Sequence, residues 1–404
     1  VDALDIMTNL DSVLPHFQAI FSADGHTVIG YEVIGRVETQ KNIESLSSFF
    51  GDDSVPDEYK REVDDIITAK ALDMVTSTGE EYLLFLHRDA TLLLHDADNQ
   101  FLSSLLHYEE QGLKLSNIVL EITEHDFQGD LDQLNHLLRY YRTYGIKLAL
   151  NKVGAGRSNL ERISLLNPDI LKISLKQLGQ NSQFQAHQDI LYSLSLLARR
   201  IGATLLYEDI DAFYQLQYAW RNGGRYYQGN YLKESLSHFL AVDVLKDRLR
   251  GECHDFILHE KRHLQRVYDV TNHLQAYIEQ ILLKHPQGKD LNKWLLQCAN
   301  EIGNYGFRLY ICDEDGFQQC GNVMRKSGNW AIYPEYHQKN WSWRPYFLEN
   351  IMKLRTDKKG RLSDAYADIE TGETIRTFSF PIEDNRYLFI DLTYEFLFEQ
   401  DIMR

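Results

Sequence analysis

From residue 15 to about 240, short apolar segments of strand composition alternate with amphipathic helical stretches, and this cadence limits the fold more than any other feature. The candidate strands are FQAIFSA, TVIGYEVIGR, YLLFLH, NIVLEITE, IKLALN, DILKIS and ATLLYED. Between them, DLDQLNHLLRYYRTYG and HQDILYSLSLLARRIG carry leucines three and four residues apart, the spacing of one helix face. Gly145 and Gly202 close these helices, where a residue free to take positive φ ends the last turn. Strand and helix in turn over this length suit a TIM-type (β/α)8 barrel. An open α/β sheet is the runner-up.

A chain of 404 residues exceeds what one hydrophobic core usually organises, so a second domain is expected. With 44% hydrophobic and 25% charged residues, the composition is that of a globular protein. The net charge of −17 repels a nucleic-acid polymer, and no basic patch counters it. A small anion held by a few cations and a metal is compatible with that field. Cys253, Cys298, Cys312 and Cys320 match neither zinc spacing nor a dense disulfide framework, and read as buried reduced thiols. There is no signal peptide and no apolar run long enough to span a bilayer, which points to the cytoplasm.

Three regions are expected: a barrel over 1–240, a helical linker over 241–285 and a smaller α+β domain over 286–404. The linker is long and charged, with Leu245, Leu249, Phe256, Leu264, Val267, Leu274, Ile278 and Leu282 as an approximate stripe. It either connects the domains or packs against its own copy in a dimer. Gly251 argues against one unbroken rod, at a cost of about 1 kcal/mol relative to alanine. Beyond it, FRLYICDEDG, RTFSFPIEDN and RYLFIDLTYEF have strand composition, and WRPYFLENIMKL reads as a helix crossing the sheet.

The candidate strands of the barrel end on polar residues. In order these are Glu32, His87, Glu121, Asn151 with Lys152, Lys172, Glu208 and Gln228. In a parallel barrel such ends converge on one rim, where a structural core has no need of them. The loop ALNKVGAGRSN (149–159) is the odd member: Gly154 and Gly156 make it a turn, yet it opens on an amide and a cation.

YEVIGR (31–36), LEITEH (120–125), NKVGAGRSNL, DILKIS, YEDID and YYQGN together resemble the sequential motifs of EAL domains. These are the cyclic-di-GMP phosphodiesterase modules of bacterial signalling. The resemblance covers residues 10–240 and implies a modified TIM barrel of EAL type, often dimeric, binding cyclic di-GMP across the strand ends. It also implies Mg²⁺ or Mn²⁺ as cofactor, because hard cations take oxygen ligands, lower the pKa of bound water and polarise phosphoryl oxygens. By position, Glu32 and Glu121 keep metal-ligand carboxylates, and Arg36 keeps a guanidinium suited to phosphate. Lys172 keeps the lysine near water or phosphate, Glu208 the general base, and Gln228 the last polar contact. Ile34 stands where the family has the leucine of its EAL motif, against a purine face or as packing.

The departures from the family pattern concern the metal site. The metal-ligand asparagine falls on His87, and the tandem acidic pair falls on Asn151 and Lys152. Ser174 replaces an aspartate, Asp211 is the second acid of the AEGVE-like motif, and Ala155 and Arg157 replace a threonine and a tyrosine. An asparagine oxygen ligates without charge, but a protonated lysine does not ligate. His87 with two glutamates suits zinc better than magnesium. Two unit charges at 4 Å interact by about 4 kcal/mol at an effective dielectric near 20. Exchanging that attraction for repulsion, even mostly screened, costs metal affinity roughly a hundredfold. The expectation is a degenerate EAL protein that binds cyclic di-GMP as a receptor or regulator with little or no hydrolysis. A weakly active enzyme producing pGpG and a scaffold without nucleotide binding are the alternatives. Lys152 either sits in the metal's place against a ligand phosphate or turns into solvent.

In the C-terminal region, NWSWRPYFLENI and DAYADIETGETIRTFSFPI resemble PAS-like and Cache sensor folds. That resemblance puts Arg344, Tyr346, Tyr366 and Asp368 at positions that hold a small carboxylate or amine. Trp341, Trp343 and Tyr346 also suit a core or a dimer surface. A homodimer is expected from the family.

Overall fold

The structure is a computed structural model that describes residues 3–39, 42–96, 99–123, 127, 129–153, 160–176, 178, 184–344, 347–383 and 385–403. Two compact units divide the chain, Val1–His254 and Asp255–Arg404.

The first unit is a closed barrel of eight strands. They are β1 (Val13–Ser22), β2 (Val28–Glu38), β4 (Leu83–His87), β5 (Ile118–Thr123), β6 (Lys147–Asn151), β7 (Ile170–Ser174), β8 (Thr204–Glu208) and β9 (Tyr226–Tyr227). β3 (Ile43–Ser45) only lengthens the edge beside β2. Around the ring the order is β1-β9-β8-β7-β6-β5-β4-β2, and β2 returns to β1. Closure excludes the open sheet. The expected modified TIM barrel is the one present, and its modification is that β1 runs antiparallel to both β2 and β9. The reason is length: only residues 23–27 separate β1 from β2, too few for a crossover helix, so the two form a hairpin. β9 is two residues long and lies within what reads as a turn sequence.

Helices Asp57–Thr78, Gln100–Glu110, Leu131–Thr143, Leu160–Leu166, Phe184–Ile201 and Phe213–Arg221 lie between the later strands. Gly145 and Gly202 take φ values of +85° and +76° within two residues of the ends of two of them, as their sequence positions require. Inside the barrel, Ile20, Phe85, Val119, Ala149, Ile170 and Leu206 form one apolar layer. Gly30 is fixed by closure: a Cβ there would stand 2.2 Å from the Leu83 carbonyl oxygen of the neighbouring strand.

Helix Lys246–Lys284 runs unbroken through Gly251, contrary to the interruption its glycine suggests. A penalty of about 1 kcal/mol is small beside the burial of Leu249, Cys253 and Phe256 around it.

The second unit is built on a six-stranded antiparallel sheet. Its order is β12 (Asn329–Tyr333), β11 (Asn322–Lys326), β10 (Gly306–Asp313), β17 (Arg386–Leu392), β16 (Thr377–Ile382) and β13 (Arg361–Leu362). A short hairpin, β14 (Tyr366–Ala367) with β15 (Thr374–Ile375), stands apart. Strand alternation sorts β10 and β17 into two faces. Leu309, Ile311, Leu388 and Ile390 pack with Leu274, Ile278, Trp294 and Cys298 on one side. Tyr310, Cys312, Tyr387 and Phe389 meet helix Phe347–Asp357 on the other. The β11–β12 hairpin was not among the expected strands. All four cysteines are buried and free. Among the described residues, no helix is long and apolar enough to cross a membrane.

Candidate functional site

Side chains two residues apart on a strand share a face, so the layer next to the apolar one can be read directly from the strands. Moving two positions from Phe85, Val119, Ala149, Ile170 and Leu206 gives His87, Glu121, Asn151, Lys172 and Glu208. On antiparallel β1 the step runs the other way, from Ile20 to Gln18, and Gln18 is paired in register with Glu32 of β2. Gln228 follows Tyr226 in the same manner, just past β9. One apolar layer therefore supports one polar layer at the end of the barrel.

Lys172 is the centre of that layer. Its side chain is fully buried, and Nζ lies 2.8 Å from Glu32 Oε2 and 3.2 Å from Glu208 Oε2, and is also bonded to Glu121 Oε1. Gln228 Nε2 donates to Glu32 Oε2. One carboxylate oxygen from each of Glu32, Glu121 and Glu208 lies within 4.8 Å of the other two. Burial raises the pKa of the Glu32 carboxyl, but the Lys172 ammonium and the Gln228 amide outweigh it and hold the group below its usual range. Glu121 is pushed up to about 8 by burial and by the Glu32 charge, despite Lys172. Burial also raises Glu208 against the pull of Lys172. Lys172 itself is held well above the ordinary lysine value, because the attraction of its three acids exceeds the cost of burial.

This layer is short of positive charge. One ammonium among three carboxylates leaves the pKa of Glu121 raised by burial and by the Glu32 charge. Glu121 Oε2, Asn151 Oδ1 and Gln228 Oε1 are buried acceptors without a hydrogen-bond partner among the described residues. Anionic and amide oxygens lacking donors are the ligand set of one hard divalent cation, so the residues present fit one such ion. Glu32, Glu121 and Asn151 would hold it, with Glu208 at hand.

The remaining candidates surround this cluster without joining it. Ile34 and Arg36 follow Glu32 on the same face of β2, opposite His16 and Leu14. Arg36 is half-buried and donates from Nη2 to Ser235 Oγ at 3.1 Å. His87 is exposed, with Nε2 3.2 Å from Thr123 Oγ1. Lys152 is exposed at φ +54° and makes no ion pair among the described residues. Ser174 donates to Asp209 Oδ2 at 2.5 Å, and Asp211 accepts from Asn230 Nδ2 at 3.2 Å. Ala155 and Arg157 lie outside the described residues, as does Tyr346. Gln18 was missed. It is buried, bonded to the Lys233 carbonyl and opposite Glu32; an amide within the apolar run FQAIF was the signal for it. Gly229 completes the turn that delivers Gln228, since its φ is +151° and a Cβ would meet Ile210 O at 2.2 Å.

In the second unit, Arg344 and Tyr366 line a common cavity, whereas Asp368 does not. Asp368 is buried against Arg308 Nη2 at 2.7 Å, and the same guanidinium reaches Glu370 at 2.9 Å and Asp391 at 2.5 Å. Trp341 packs on the cluster beneath helix Phe347–Asp357, and Trp343 is exposed.

Comparison with known proteins covers both units. The EAL domain matches residues 2–235, and the EAL-domain associated signalling protein domain matches residues 239–404. YkuI, an EAL-domain containing protein of Bacillus subtilis (strain 168), is 52% identical over 404 residues, 99% of each chain. The crystal structure of B. subtilis YkuI in complex with substrate c-di-GMP and calcium superposes with a TM-score of 0.95 at 51% identity, covering all of both chains. PdeD of Escherichia coli (strain K12), a probable cyclic di-GMP phosphodiesterase, is 29% identical over 118 residues, 28% of this chain and 21% of that protein. An EAL domain protein from Listeria monocytogenes EGD-e shares the fold alone, with a TM-score of 0.51 and 22% identity over 59% of this chain and 94% of its own.

Proposed function

This chain belongs to the EAL-domain family, and from that premise we propose that it binds cyclic di-GMP at the polar end of the barrel and acts as a receptor or regulator with little or no phosphodiesterase activity. The crystallised YkuI complex, with c-di-GMP and calcium at 51% identity, supports the ligand. One observation carries the restriction on turnover. The buried oxygens suit a single divalent ion at Glu32, Glu121 and Asn151, but position 152, where the family has the second of its paired acids, is an exposed lysine. Two-metal hydrolysis needs anionic ligands for both ions, to hold the attacking and leaving oxygens in line.

In this reading Arg36 grips a phosphate, Ile34 meets a purine, and Gln228 orients Glu32 by its amide bond. Lys172 keeps three carboxylates together and would offer its ammonium to a phosphate bound beside them. Mg²⁺ or Mn²⁺ supplies charge to the oxygens that lack donors, and it would polarise a phosphoryl oxygen there. Glu208 stands ready as a base. A second reading, slow hydrolysis to pGpG on one metal, is favoured by the fit of that single ion.

Calorimetric titration of the full chain with cyclic di-GMP, with and without Mg²⁺ or Mn²⁺, combined with product analysis, separates these outcomes. Binding without pGpG supports the receptor, and metal-dependent binding with pGpG the slow enzyme. No heat under either condition removes the nucleotide from the account and leaves an interaction scaffold.

A further inference from the structure

The barrel has a second mouth, at the N-terminal ends of its strands. Leu83, Lys147, Ile170, Thr204 and Tyr226 are the first residues of β4, β6, β7, β8 and β9, and all five line a cavity of about 620 Å³ there. Leu83, Lys147 and Thr204 stand two residues before Phe85, Ala149 and Leu206 of the apolar layer, on the same strand face. That layer therefore separates this mouth from the carboxylates at the other end. The walls carry Arg142, Lys147 and Arg225 against one acid, Asp169. A surplus of two positive charges gathers here, in a chain of net charge −17 and at the far end of the barrel from three clustered glutamates.

Cations beside helix ends serve the carbonyls left open there. Arg142, in the last turn of helix Leu131–Thr143, does so by donating from Nη2 to the Asn167 carbonyl, just past helix Leu160–Leu166. That duty leaves much of its fork unused: Nε is buried without a partner, and Nη1 has none among the described residues. Asp169 neutralises it only in part. Asp169 Oδ2 lies 3.5 Å from Arg142 Nη2 and already accepts from the Leu148 N–H at 2.8 Å. Lys147 Nζ uses one of its three donors on the Ser116 carbonyl at 3.0 Å, and it makes no ion pair among the described residues. Arg225 has a loose, exposed pairing with Asp24 at 3.6 Å.

We propose that this N-terminal mouth binds a phosphate dianion, as the free ion or as a small monoester. A guanidinium edge and an ammonium suit its oxygens, and its two charges match the local surplus. The field of the whole chain repels a large polyanion, which leaves a small one as the occupant. The site is separate from nucleotide binding at the opposite rim.

The test is calorimetric titration of the full chain with inorganic phosphate and with phenyl phosphate at about pH 8, where both are dianions. Chelator is present so that no metal draws the anion to the rim. One site per chain is expected, and the tighter of the two ligands shows whether the free ion or an ester is preferred. Acetate, a monoanion, is expected to bind at least about tenfold more weakly. Arg142 also braces the Asn167 carbonyl, so Lys147→Gln and Arg225→Gln carry the test. Each is expected to weaken phosphate at least about fivefold, while Arg36→Gln, at the other end of the barrel, leaves it unchanged. Melting curves of the variants, expected to match the parent, establish that they fold. The proposal is overturned if neither phosphate binds at about 10 mM, a limit set by the weakest affinities such contacts give. It is equally overturned if both Lys147→Gln and Arg225→Gln bind phosphate as the parent does, or if acetate binds as tightly. Weakening by Arg36→Gln alone would put the anion at the rim and overturn it too.

Discussion

Replacing Lys172 by methionine keeps all but the terminal atom of the unbranched side chain and removes its charge, which makes it the sharpest probe of the barrel rim. At the observed separations of 2.8 and 3.2 Å, the pairs with Glu32 and Glu208 are worth about 6 and about 5 kcal/mol at an effective dielectric near 20. Much of this is offset, because Lys172 no longer has to be desolvated and the abandoned carboxylates take up protons. Breaking a buried pair by removing one partner leaves a net loss of about 3–5 kcal/mol. For a unit of this size that lowers the melting temperature by roughly 10 °C. The sign of the pH dependence follows from the same picture. Without the ammonium, the folded carboxyls titrate above their unfolded values, so the native state holds protons that the unfolded state has lost. Stability then falls as pH rises, and the deficit is larger at pH 8 than at pH 5. Divalent cations supply the missing charge, so Mg²⁺ or Mn²⁺ should raise the melting temperature of Lys172→Met more than that of the parent. Scanning calorimetry with chelator and with metal, at both pH values, measures all three effects. A loss below about 1 kcal/mol that neither grows with pH nor responds to metal would refute the view that charge shortage organises this site.

Three further perturbations test separate links in the argument. Lys152→Asp restores an acid at the rim and should tighten Mn²⁺ binding roughly a hundredfold by calorimetry; unchanged affinity would show that position 152 does not govern the metal. Glu121 has a folded pKa near 8 against an ordinary 4.5, so the metal-free protein should lose stability as pH rises from about 4.5 to about 8. Glu121→Gln should flatten that slope in urea midpoints, and parallel slopes would mean the proton resides elsewhere. Gly30→Ala places a methyl group against the Leu83 carbonyl and should cost more than about 3 kcal/mol, read from the same unfolding curves; a cost under 1 kcal/mol would mean that β2 and β4 can move apart.

The polar layer was legible because it follows from local geometry. Strand alternation is a property of the backbone, and the steps from Val119 to Glu121 and from Ile170 to Lys172 need no knowledge of the neighbours. The same holds for the glycines that end two helices. Gln18 escaped notice because its strand reverses direction, so its place in the layer is counted backwards from Ile20. β9 escaped because two residues carry no periodicity, and the β11–β12 hairpin because its residues are partly polar.

The sequence by itself determined most of the barrel strands, the residues that share a face, and a lysine at position 152. Only the tertiary structure decided that β1 closes the ring antiparallel and that Gly251 leaves its helix intact. Only it placed Lys172 among three acids, one of them 140 residues away in the chain, and Asp368 with Arg308 outside the cavity. The reason lies in range. Backbone periodicity acts over a few residues, whereas the charge state of a buried carboxylate is set by whatever the folded chain brings within a few ångströms of it.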